Sequence, residues 1–64
     1  MHDEKLSIEV TKRMFSHGIT KTQLAKEIGR GRRTVWLWLA REMNQERHEA
    51  LMMALDRIEK RKAE

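Results

Sequence analysis

The sequence predicts an all-α fold, a compact bundle of four or five short helices, and three observations carry that expectation. The chain of 64 residues has no proline and only three glycines, Gly18, Gly29 and Gly31, set among strong helix formers. Apolar side chains recur at intervals of three and four residues, which places them on one face of a helix. No segment alternates apolar and polar residues as a half-buried strand would.

The first helix rests on Leu6, Val10 and Met14, one stripe that ends near His17, with Asp3 placed to cap its start. Gly18 suits the left-handed residue that closes it, and Ile19 turns back toward the core. Thr20 and Gln23 stand as a capping box, so a second helix is expected over residues 21–28 with Leu24, Ala25 and Ile28 inside. Gly29 closes that helix, and Gly31 caps the next. A third helix fits residues 32–40, where Val35, Trp38 and Leu39 share a buried stripe and Arg32, Arg33, Trp36 and Ala40 face the other way. Asn44 is the expected cap of a fourth helix over residues 45–62, with Leu51, Leu55 and Ile58 as its apolar stripe. Its end carries Arg57, Lys60, Arg61 and Lys62 and is expected to fray.

Length and composition narrow the function. Residues 1–64 make a single domain and leave no room for a separate catalytic one. Folding at this size buries only about 60% of the unfolded surface, so pairing of two copies is a natural source of further stability. The absence of cysteine excludes disulfides and thiolate metal sites. His2, His17 and His48 have no ligand partner at helical spacing, so no metal and no cofactor is expected, and His48 reads as a helix-surface residue. Ser7 and Ser16 lack a His/Asp partner arrangement, and no catalytic residue is expected. No apolar run approaches the roughly 20 residues of a membrane span, and no signal-peptide pattern opens the chain, so a cytoplasmic location is expected.

The formal charge of +4 matters less than where it lies. Between Lys21 and Arg41 stand six basic residues against one acid, Glu27, while the rest of the chain sums to −1. Basic charge gathered on one short segment is the footprint of a polyanion binder; a merely solvated face interleaves the two signs, as residues 42–64 do.

The segment QLAKEIGRGRRTVWLWL, within residues 21–40, resembles the helix-turn-helix of the phage-repressor (Cro-like, lambda repressor-like) DNA-binding family. Ala25 falls where two helices must approach closely, Gly29 where the turn needs a positive φ, and Val35 and Trp38 where the wedge between the helices is filled. The resemblance covers about a third of the chain closely. It implies a lambda repressor-like bundle in which residues 32–40 are a recognition helix that enters the major groove of double-stranded DNA. Gly31, Arg32, Arg33, Trp36, Leu37 and Ala40 would then line the DNA-facing side. Arg32 and Arg33 are the candidates for base contact, because a guanidinium bridges guanine O6 and N7, with phosphate clamping as the alternative role; Trp36 would lie against thymine methyls or sugars, pack on the fourth helix or sit in a dimer interface, with DNA contact favoured. Thr20, Lys21 and Thr22 at the start of the second helix, with Lys26, Arg30 and Arg41, are the candidates for phosphate contact.

The sequence departs from the family pattern in three places. Arg30 stands where a partly buried aliphatic residue is usual, Gly31 replaces a serine or threonine, and Trp36 and Leu37 occupy positions that are normally polar. By this resemblance the chain is a transcriptional repressor, a phage or mobile-element regulator, acting as a homodimer on an inverted-repeat operator. The dimer contact is expected on the fourth helix at Arg47, Met52 and Leu55; the nearby methionines Met43, Met52 and Met53 suit an irregular interface between subunits and, nearly as well, ordinary core filling. Trp36 and Leu37 also suit a different class, a protein-interaction module such as an antitoxin or a phage protein on the same scaffold. A third class is an architectural, excisionase-like DNA binder.

Overall fold

The computed structural model describes residues 2–63, and these form four helices and no strand. Helix α1 spans Glu4–Ser16, α2 spans Lys21–Ile28, α3 spans Arg32–Ala40 and α4 spans Gln45–Ala63. A fifth helix is absent among the described residues.

Each boundary has a local cause. The Asp3 carboxylate accepts from the Leu6 amide at 3.2 Å, satisfying one of the free donors at the start of α1. Gly18 follows α1 at φ 63°, and the Ile19 amide donates back to the Met14 carbonyl at 2.9 Å. Both halves of the capping box form at α2: the Gln23 amide donates to Thr20 Oγ1 at 3.2 Å and the Thr20 amide to Gln23 Oε1 at 2.9 Å. Gly29 closes α2 at φ 70°. Gly31 precedes α3 in an extended conformation and supplies no side-chain cap. Asn44 accepts from the Arg47 amide at 2.8 Å, which starts α4.

The core is formed by Val10 and Met14 of α1, Leu24 and Ala25 of α2, Val35 and Leu39 of α3, and Leu51, Ala54, Leu55 and Ile58 of α4. Ile19 and Met43 complete it from the connections. Met43 is fully buried, so it fills core rather than an interface between subunits. Trp38, expected inside, is only half-buried; it packs on the core edge while the Arg47 guanidinium lies 5.2 Å from its ring centroid. A ring of this size at the end of a nine-residue helix covers the core yet keeps one side wet.

Polar ties join the helices across the core edges. The buried Ser7 hydroxyl donates to the Leu39 carbonyl and joins α1 to α3. Arg13 of α1 donates to Glu59 of α4 at 2.7 and 3.0 Å and also pairs with Asp56. These bonds from Arg13 favour the ionised carboxylate and hold Glu59 below its ordinary carboxyl value, although burial acts in the opposite direction. His48 belongs to the α1–α4 seam rather than to the open surface: its side chain is 12% exposed, with Nε2 3.7 Å from a Glu9 carboxylate oxygen. The first residues are held too, since the Asp3 amide donates to the Met43 carbonyl at 2.7 Å and the Met43 amide donates to His2 Nδ1 at 3.0 Å.

Candidate nucleic-acid interface

Three residues, Gly29 to Gly31, join α2 to α3, and Gly29 supplies the left-handed step that turns the chain so sharply. The Arg30 amide donates to the Ala25 carbonyl at 3.0 Å, which satisfies a carbonyl at the end of α2 and fixes the turn. Ala25, 3% exposed, lies in this corner, where its single methyl allows the two helices to approach. Val35 and Leu24 fill the wedge behind it, both fully buried. The local rules of the sequence thus orient the outer face of α3 relative to the start of α2.

Lys21, Arg32, Arg33 and Trp36 surround one open hollow of about 510 Å³. Four residues singled out by sequence, from two helices, therefore share a concavity with three positive charges around it. No carboxylate lines it. Trp36 is 48% exposed and forms the wall between this hollow and a neighbouring groove of about 570 Å³. That groove runs between α1, the start of α2 and α3; Thr20, Lys21 and Thr22 form one side and Phe15 another. Phe15, 88% exposed, was not singled out by sequence. The available signal was its position one residue beyond the Leu6/Val10/Met14 stripe, off the buried face.

The remaining phosphate candidates are dispersed. Lys26 stands on a third hollow with Gln23 and the end of α4. Arg30 lines another hollow, with Trp38, Asn44 and Arg47, apart from the one shared by Arg32 and Arg33. Arg41 follows α3 as its C-cap and is exposed. Leu37 is half-buried and Ala40 is exposed along α3.

The expectation for the dimer contact needs correction at Leu55, which is fully buried in the core and offers no surface to a second subunit. The cause is that α4 packs against both α1 and α2, so its apolar stripe is consumed within the chain. Arg47 is also engaged internally, donating to the Glu42 carbonyl at 2.6 Å and lying over Trp38. Met52 is half-buried beneath Arg13, 3.8 Å from its guanidinium, and Met53 is the apolar side chain that α4 turns outward, at 59% exposure.

Glu27, the one acid between Lys21 and Arg41, is not a free negative charge. Arg57 Nε meets it at 2.9 Å, and Arg61 pairs with its other oxygen. Among the described residues no group of three or more His, Cys, Asp or Glu side chains is placed to hold a metal ion. No described helix is long and apolar enough to cross a membrane. No family model matches the chain, and no curated protein or solved structure is similar enough to it to count as a match.

Proposed function

We propose that the chain is a sequence-specific DNA-binding repressor in which α2 and α3 act as a helix-turn-helix and α3 enters the major groove. The observation that supports this most is the hollow shared by Lys21, Arg32, Arg33 and Trp36, cationic and free of carboxylates. Arg32 and Arg33 open α3, so their guanidiniums project from the end of the helix that reaches furthest into a groove. Each bidentate contact to guanine contributes about 1–3 kcal/mol of discrimination against the wrong base. The amides at the start of α2, with Lys21 and Thr22, take a backbone phosphate. Trp36 then lies against sugars or thymine methyls, which gives its half-exposed ring a partner.

One chain presents one α3, so reading an inverted repeat requires two copies with their recognition helices about 34 Å apart, one turn of B-DNA. Repression follows from occlusion of the site, in a phage or mobile-element regulator of the cytoplasm. A randomised-duplex selection at near-physiological salt tests this reading, with the intact protein compared to Arg32→Ala/Arg33→Ala. The expected result is an enriched inverted repeat that the double variant fails to enrich. Absence of any enriched sequence, together with binding that vanishes steeply with salt, would overturn it.

The groove between Phe15 and Trp36 favours a second reading, a protein-interaction module. Two large aromatic side chains left exposed around about 570 Å³ resemble the anchor site of a partner more than bare surface. In that case Phe15→Ala abolishes partner binding while Arg32→Ala does not.

A further inference from the structure

Beyond α2 and α3, the last two turns of α4 bring cations against α2 and the segment that precedes it. Arg57 and Arg61 both reach the Glu27 carboxylate, whose side chain is 16% exposed. Two guanidiniums on one carboxylate leave a local charge of +1 where the Glu27 carboxylate alone carries −1. A negative charge on the helix that crosses a DNA backbone would repel phosphate, and α4 reverses its sign. Lys62 comes closer still to the start of α2. Its ammonium donates to the His17 carbonyl at 3.1 Å, three residues ahead of the Thr20 cap, and an ammonium has two further donors to offer.

Between these groups lies a groove of about 380 Å³ lined by Gln23, Lys26, Glu27, Ile58, Arg61 and Lys62. It is continuous with the α2 face that carries Lys26. Ile58 is its one apolar lining residue and is only 7% exposed, so the groove has no anchor for an apolar partner side chain. Three cations around the one carboxylate of Glu27 leave the groove net positive, and their donors suit the oxygens of a phosphodiester backbone.

We propose that the end of α4 is a second phosphate-binding element, in which Lys62 and Arg61, with Lys26 of α2, hold the DNA backbone flanking the site read by α3. This inference rests on the DNA-binding reading above. The bland account is that cations in the last turn merely oppose the helix dipole and fasten α4 to α2. That account predicts that any cation there counts equally. Lys60 separates the two: it follows Ile58 by two residues, about 200° around the helix, and so faces away from the groove.

The test is the salt dependence of duplex binding by the full chain, using a 30-base-pair duplex and fluorescence anisotropy, for wild type, Lys62→Gln, Lys26→Gln/Lys62→Gln and Lys60→Gln. Thermal melts confirm that each variant is folded under the binding conditions. Losing one phosphate contact lowers the slope of log K against log salt by about 0.9, so Lys62→Gln is expected to lose about that much and the double variant about twice as much. Lys60→Gln is expected to keep the wild-type slope. An unchanged slope in Lys62→Gln, or an equal drop in Lys62→Gln and Lys60→Gln, overturns the proposal while leaving the helix-turn-helix reading intact. A wild-type chain that binds no duplex but does bind polyglutamate overturns both and makes the groove a site for an acidic protein.

Discussion

Gly29 shows how one residue governs the candidate site. Its φ of 70° is the left-handed value, and nothing lies within 4 Å of where a Cβ would stand. The requirement for glycine is therefore conformational and not steric. Gly29→Ala should destabilise the fold by about 1–2 kcal/mol, and Gly29→Asn by less, since asparagine tolerates the left-handed region. Urea unfolding midpoints measure this; an alanine variant as stable as the wild type would mean that the turn can relax. Trp36 and Trp38 make the complementary point about side chains. They are two residues apart on one short helix, yet one faces the open hollow and the other packs on the core edge under Arg47. Periodicity expected Trp36 outside and Trp38 inside, but it gave no measure of how much of Trp38 stays wet, because that depends on what α4 lays over it.

At the level of elements, α1 and α4 are joined by a charged cluster as well as by core. The bonds from Arg13 keep the Glu59 carboxyl below its ordinary value of about 4.5. The sign of the linkage follows directly. The unfolded chain binds the proton more readily than the folded one, so the contribution is complete above that ordinary value and disappears as pH falls through the lowered one. Arg13→Ala should destabilise by about 1–2 kcal/mol at neutral pH, with the difference from wild type shrinking in acid. Melting temperatures of both proteins across pH 2 to about 7 check this; parallel curves would show that the cluster contributes nothing to the acid response. Nothing in sequence spacing pairs Arg13 with Asp56 and Glu59, because more than forty residues separate them. The helix ends, by contrast, were readable: Asp3, Thr20 with Gln23, Gly29 and Asn44 each act on neighbours within a few residues.

For the whole molecule, the radius of gyration of 10.8 Å matches the roughly 10.7 Å of a compact domain of this length, so α4 is folded back along the bundle and is not a free arm. That packing moves the question of self-association to what α4 leaves outside. With Leu55 buried, Met53 is the large apolar side chain that α4 leaves exposed to a second copy. Sedimentation equilibrium should show a dimer that Met53→Lys weakens by tenfold or more; wild type that stays monomeric at every concentration would confine pairing to DNA or refute it. Leu55→Ala should act differently, lowering stability by about 2–5 kcal/mol because it opens a cavity in the core. The helices, their caps, the glycine turn and the run of positive charge along residues 21–41 were legible beforehand, because each depends on residues near one another along the chain. Tertiary structure alone decided that Leu55 is core, that Phe15 stands exposed beside Trp36, and that Arg57, Arg61 and Lys62 come to lie against Glu27 and the start of α2. Those outcomes depend on which face of each helix meets another. Packing distant segments against one another sets that, and short-range periodicity leaves it open.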